Sequence, residues 1–204
     1  MRRASVLLMT ALISVLIYGC THNVSVPLRP SYQTSLVQGN SLAKVKPPLQ
    51  FTKGKFTDKR LDTTVLSSFK QQVHTYNLRA ERPVDEALFE GLSTMLKNSG
   101  HNWSETDPKN VRIDMQLLNI QASRNAGFVE VTASSRLQVK LDFVNAATGD
   151  PIYSEVYTGK DDRGRALLGL MDMVIESIDA SIVDLVNKVG NDEQLATTLR
   201  KINR

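Results

Sequence analysis

The chain has 204 residues, 41% of them apolar, and a formal charge of +4; a chain of this size forms one domain that buries about 70% of its unfolded surface. Arg2 and Arg3 carry two of those charges, and the rest are interspersed with acids, with no Lys/Arg block interleaved with aromatics, so no nucleic-acid partner is expected. Cys20 is the single cysteine, which excludes an internal disulfide framework.

Residues 1–19 read as a signal peptide. Arg2 and Arg3 form its positive start, and the stretch from Ala4 to Tyr18 is apolar apart from Ser5, Thr10 and Ser14. That run is short of the roughly 20 apolar residues of a membrane-spanning helix and fits the core of a secretory signal. Ile17-Tyr18-Gly19-Cys20 resembles the lipobox of bacterial lipoprotein signals, departing from it mildly at Ile17 and more at Tyr18. The resemblance implies cleavage before Cys20, a diacylglyceryl thioether on its sulfur, and three acyl chains in all. Two or more chains hold a protein stably on a bilayer. It also implies an outer-membrane address, facing the periplasm of a Gram-negative cell, since Thr21 and not an aspartate follows the cysteine. The alternatives are an ordinary signal with an incidental cysteine, or an uncleaved anchor.

Residues 20–48 read as the lipidated N-terminus and a flexible tether. Pro27, Pro30, Pro47 and Pro48 interrupt it, and Leu28, Leu36, Val37 and Leu42 are too scattered for a core. Packing of part of it along the domain is the alternative.

Residues 49–204 read as a single periplasmic domain. An extended segment starts at Leu49-Gln50-Phe51, with a bulge or bend at Gly54. Thr63–Phe69 and Val73–Leu78 also look extended. Pro83 and the acids Asp85 and Glu86 open a helix, with Val84, Leu88, Leu92 and Leu96 along one face, Lys97 in its last turn and Gly100 beyond it. Val111, Ile113, Met115 and Leu117 alternate with Arg112, Asp114 and Gln116, as in a strand with one buried face, and the phase slips at Leu117-Leu118. Val129, Val131 and Ala133 lead into a second alternating run, Leu137 to Phe143, and a turn at residues 145–151 returns the chain through Ile152–Thr158. After Gly164 and Arg165, Leu167, Met171, Val174, Ile178, Ile182, Leu185 and Val189 predict a long helix ended by Gly190-Asn191, followed by a short last helix with Leu195 and Leu199 inward. The expected fold is α+β: a mostly antiparallel sheet, with the first helix and the long C-terminal helix packed on one face and a short final helix.

Catalytic chemistry finds little support. His22, His74 and His101 stand at no metal-binding interval, so neither a metal nor another cofactor is called for. The sequence has no nucleophile elbow, phosphate loop or dinucleotide fingerprint. Asp161-Asp162, placed at a strand-to-helix connection, offers a carboxylate pair, but solvated or capping acids are the commoner case. Trp103 is either a cover over the core edge or an exposed partner anchor.

The acid-x-Arg group Asp58-Lys59-Arg60, the helix near 84–98, the alternating strands over 111–143 and the long last helix with its basic end Asn203-Arg204 resemble the YajG family of Gram-negative lipoproteins. That resemblance implies a lipid-anchored domain with no assigned catalytic residues. Cys20 is therefore the one site residue, for lipidation, with no catalytic, cofactor or metal position. The expected function is non-enzymatic binding of another envelope protein. A carrier or sensor of a small hydrophobic or cell-wall ligand is the alternative, and an enzyme with a pocket built from distant residues the third reading.

Overall fold

The computed structural model describes residues 20–32, 40–107, 110–126, 130–166 and 171–202. The signal reading of 1–19, the basic end at 203–204, and Leu36, Val37, Val129 and Leu167 lie outside them. Eight strands and three helices follow in order: β1 Thr21–Val26, β2 Gln50–Asp58, β3 Ser67–Gln71, β4 His74–Ala80, α1 Val84–Asn98, β5 Asn102–Ser104, β6 Val111–Ala126, β7 Glu130–Asn145, β8 Pro151–Ala166, α2 Asp172–Gly190 and α3 Glu193–Ile202.

The fold is α+β but has two sheets rather than one. A small sheet has the order β1-β4-β3, and a large one the order β5-β2-β6-β7-β8. β6, β7 and β8 form a long antiparallel meander. β2, however, runs parallel to both its neighbours, β5 and β6. Parallel pairing needs a crossover, and β3, β4 and α1 supply it. The irregularities expected at Gly54 and Leu118 are both present, as register shifts between Lys53 and Phe56 and between Leu117 and Asn119.

Alternation gives the large sheet a buried face. Ile113, Met115 and Leu117 of β6 and Leu137, Val139, Leu141 and Phe143 of β7 are buried, while Arg112, Asp114, Gln116, Lys140 and Asp142 on the other face are half-buried. α2 meets β7 and β8 through small residues: Ser135 Oγ donates to the Ser177 carbonyl at 2.6 Å, and Gly159 lies against the Ser181 carbonyl oxygen. α1 presents Leu88, Leu92, Met95 and Leu96 to the core, as its spacing predicts, and touches α2. Leu195 and Leu199 of α3 are buried, also as expected.

The strand-to-helix boundary near 165 is a correction. β8 runs on to Ala166, and the last long helix begins at Asp172. The strand carries charge in its second half because it pairs with β7 as far as Glu130↔Ala166, and Arg163 holds Asp161 at 2.6 Å and Glu176 at 3.0 Å.

Residues 20–32 and 40–48 are part of the fold; packing along the domain, the alternative to a free tether, describes them. β1 pairs in parallel with β4 along its whole length, from Thr21↔Thr75 to Val26↔Ala80. Val26, Leu28, Leu42 and Val45 are fully buried. Leu28 takes a φ of 44°, an uncommon backbone for a branched residue that its complete burial holds in place. Tyr32 crosses α1 where Gly91 leaves room for its ring and donates to the Ala87 carbonyl at 3.1 Å.

Candidate functional site

Cys20, the expected lipidation residue, is exposed and carries a free thiol. It stands directly before β1, and its carbonyl accepts a hydrogen bond from the Thr75 amide at 3.0 Å. Parallel pairing of β1 with β4 brings His22 against His74, with Nε2 and Nδ1 3.1 Å apart. His22 also stacks on Tyr76 with ring centroids 5.2 Å apart, and Tyr76 on Phe69 at 5.3 Å. A row of three rings thus crosses the small sheet next to Cys20. Sequence spacing missed this meeting: the two histidines are 52 residues apart, and β1 is too polar to announce itself as a strand. Among the described residues, no group of three or more His, Cys, Asp or Glu side chains is placed to hold a metal ion.

His101 belongs elsewhere. It is buried behind α1, where Nδ1 accepts from the Leu49 amide at 3.2 Å and Nε2 faces the Leu42 carbonyl at 3.0 Å. Those two bonds require the neutral ring with its proton on Nε2. Burial pushes its pKa below the ordinary 6.5, and nearby Lys46 acts the same way, against the hydrogen bond to Leu42.

The carboxylates singled out by sequence do not stand together as a pair. Asp161 and Asp162 lie inside β8, not at its end, so they point to opposite faces; Asp161 pairs with Arg163 and Asp162 is exposed. Asp85 opens α1 and sits 3.9 Å from Lys53. A carboxylate that sequence did not single out, Asp192, receives more bonds. Tyr157 and Tyr153 donate to Oδ2 at 2.6 and 3.0 Å, and the Gln194 and Leu195 amides donate to Oδ1 as the cap of α3. Burial would raise its pKa, but these donors hold it below the ordinary value. In turn, burial and the adjacent carboxylate push Tyr153 up to about 12 and Tyr157 higher still. Two phenols held protonated on one capping carboxylate tie α3 to β8. Trp103 lies in β5, half-buried against Phe89, with Nε1 donating to Glu105 at 2.9 Å, which fits a cover over the core edge.

The Asp58-Lys59-Arg60 group shapes a surface loop. The Arg60 guanidinium grips Asp58 with Nε and Nη2, at 2.9 and 2.6 Å, and donates from Nη1 to the Val65 and Leu66 carbonyls at 2.8 and 2.9 Å. Asp62 accepts from the Thr64 amide and hydroxyl, at 2.8 and 2.6 Å. Between these fixed points Leu61 is fully exposed. Open clefts of about 520 and 550 Å³ flank the loop, one toward Arg79 and Asp85 and the other toward Leu118 and Gln138. A third, of about 550 Å³, is lined by Ser67, Ser68, Ser123, Ser134, Arg136 and Lys160. The three clefts are lined by polar and apolar surface in about equal measure, and where α2 meets β8 at Gly159 the helix and sheet are in direct contact.

The comparisons with known proteins agree with this architecture. The model of the lipoprotein family Lipoprotein_16, described as "Uncharacterized lipoprotein", matches residues 55–200. The chain belongs to this family, that of the YajG lipoproteins. Comparison with curated proteins finds no match. The chain is similar in fold to protein XCC0632 from Xanthomonas campestris, at a TM-score of 0.56 and 7% identity, over 89% of this chain and 98% of that one. It is also similar to a neuraminyllactose-binding hemagglutinin homolog from Helicobacter pylori, at a TM-score of 0.47 and 13% identity, over 87% and 98%. A minor lipoprotein from Acinetobacter baumannii follows, at 0.43 and 12%, over 72% and 92%. At 7% identity the likeness to XCC0632 is one of fold alone.

Proposed function

We propose that this YajG-family lipoprotein is held by lipidated Cys20 in the outer membrane, facing the periplasm, and that it binds another envelope protein without catalysing a reaction. The loop at 59–66 carries this reading. The loop that presents this fully exposed leucine is pinned at Asp58, Val65 and Leu66, so a partner that takes it up pays little to order the backbone. An apolar side chain presented on a pinned loop between two clefts has the geometry of an interface anchor. In this reading α1 and α2 both cover the buried face of the large sheet, leaving its polar face and the loop outward.

The test is photo-crosslinking in intact cells from position 63, which is exposed in the same loop and leaves Leu61 in place. A discrete protein adduct that disappears in Leu61→Asp is the expected result. Only lipid adducts or none, from a protein present at normal level, overturns the partner reading. The ligand-carrier alternative is favoured by the serine-lined cleft, whose hydroxyls, Arg136 and Lys160 offer hydrogen-bond partners for a cell-wall glycan. Native mass spectrometry of the purified protein that finds bound glycan would decide for it.

A further inference from the structure

Cys20 is separated from the folded domain by no residues at all: Thr21 is already opposite Thr75 in the small sheet, and the Cys20 carbonyl is bonded to the Thr75 amide. Whatever surface surrounds Cys20 is therefore held at the bilayer when the cysteine carries lipid. That surface is the end of the small sheet. Its tip is the β3–β4 turn, where Gln72 with a φ of 53° reverses the chain and Val73 stands 65% exposed. Few large apolar side chains among the described residues are as exposed as Val73, and Leu61, which is more so, lies at the far end of β3. Behind the tip, the His22, Tyr76 and Phe69 rings are stacked across the three strands, and Lys70, next to Phe69 in β3, is exposed on the other face of the sheet.

We propose that this end of the domain, made by His22, Lys70, Val73, His74 and Tyr76 around Cys20, is seated in the headgroup layer of the leaflet that holds the anchor. The proposal rests on the lipidation of Cys20 put forward above. Its partner is the phospholipid surface itself. The headgroup layer is about 5–7 Å deep on each side of the hydrocarbon, and Val73 is two positions along the chain from the residue bonded to Cys20, within that reach. Rings with an apolar body and a polar edge favour this layer. An apolar valine reaches the acyl boundary, and a lysine meets lipid phosphate. The molecule is thus held close and in one orientation, with the loop at Leu61 directed away from the membrane.

The test uses the full-length lipidated protein in vesicles of phosphatidylethanolamine and phosphatidylglycerol. With Cys20 acylated, a nitroxide attaches only to the new thiol of Val73→Cys or, separately, Leu61→Cys. Both positions are exposed, so neither change disturbs the core. The expected result is that the label at 73 meets oxygen severalfold more readily than a water-soluble nickel chelate, and that the label at 61 shows the reverse. Vesicle-bound protein with both labels open to the nickel chelate overturns the seating while leaving the anchor intact. Protein that neither carries palmitate nor sediments with vesicles overturns the anchor, and the seating with it.

Discussion

Gly159 of β8 lies so close to the Ser181 carbonyl of α2 that a methyl group on the glycine would overlap the oxygen. The helix rests on the strand at backbone distance. Leu185 stands next to the same point, so no flexible side chain is available to give way.

Gly159→Ala therefore forces α2 off the sheet. The expected cost is about 1–3 kcal/mol, read as a lower midpoint in urea unfolding. An unchanged midpoint would mean that the contact is looser than described.

Arg60→Lys keeps the charge but loses the planar fork that holds Asp58 while bonding two carbonyls. A loss of about 1–3 kcal/mol is expected, together with faster proteolysis within residues 61–64. The partner adduct formed from position 63 should weaken in parallel.

Leu28→Ala and Leu42→Ala separate a packed segment from a tether. Both leucines are fully buried, so each change should cost about 2–5 kcal/mol. A free tether would register less than about 0.5 kcal/mol. Thermal unfolding of the purified variants distinguishes the two.

Much of this fold is written in its periodicity, and the limits of that writing are physical. The α1 stripe and the alternations at 111–117 and 137–143 are legible because one face of each is buried and the other wet. β1 is not legible: of THNVSV only Val26 is buried, and its order comes from pairing with β4. The second half of β8 escapes for the opposite reason, since its inner positions are filled by a glycine and by an Arg163 network instead of apolar residues. Cys20 could be singled out from its neighbours as the expected lipid site. The surface next to it could not, because His22 and Tyr76 meet only once two distant strands have joined.

Acidification should weaken the fold through His101. The unfolded chain takes a proton on this ring near 6.5, whereas the buried ring resists it. The unfolded state then binds more protons, and stability falls as pH drops below about 6.5 until the folded ring is itself protonated. The slope from this group is at most about 1.4 kcal/mol per pH unit. Urea unfolding between about pH 7 and 5 should show it, and His101→Gln should flatten it.

Cys20→Ala should abolish palmitate incorporation and release the protein from membranes while leaving its circular dichroism unchanged. The side chain is exposed and only its backbone carbonyl is used by the fold. Persistent palmitate in that variant would place the lipid elsewhere.

The pairing of β1 with β4 also sets the mechanical character of the protein. A pull transmitted through Cys20 enters at the N-terminal end of β1 and runs along the strand, parallel to β4 over six paired positions. The ladder is then loaded in shear, its hydrogen bonds sharing the force, instead of being unzipped one at a time. Under the proposed anchoring and partner contact, a load on the loop at Leu61 would pass through β3 and β4 to β1 and Cys20, with the small sheet as a short tendon between them.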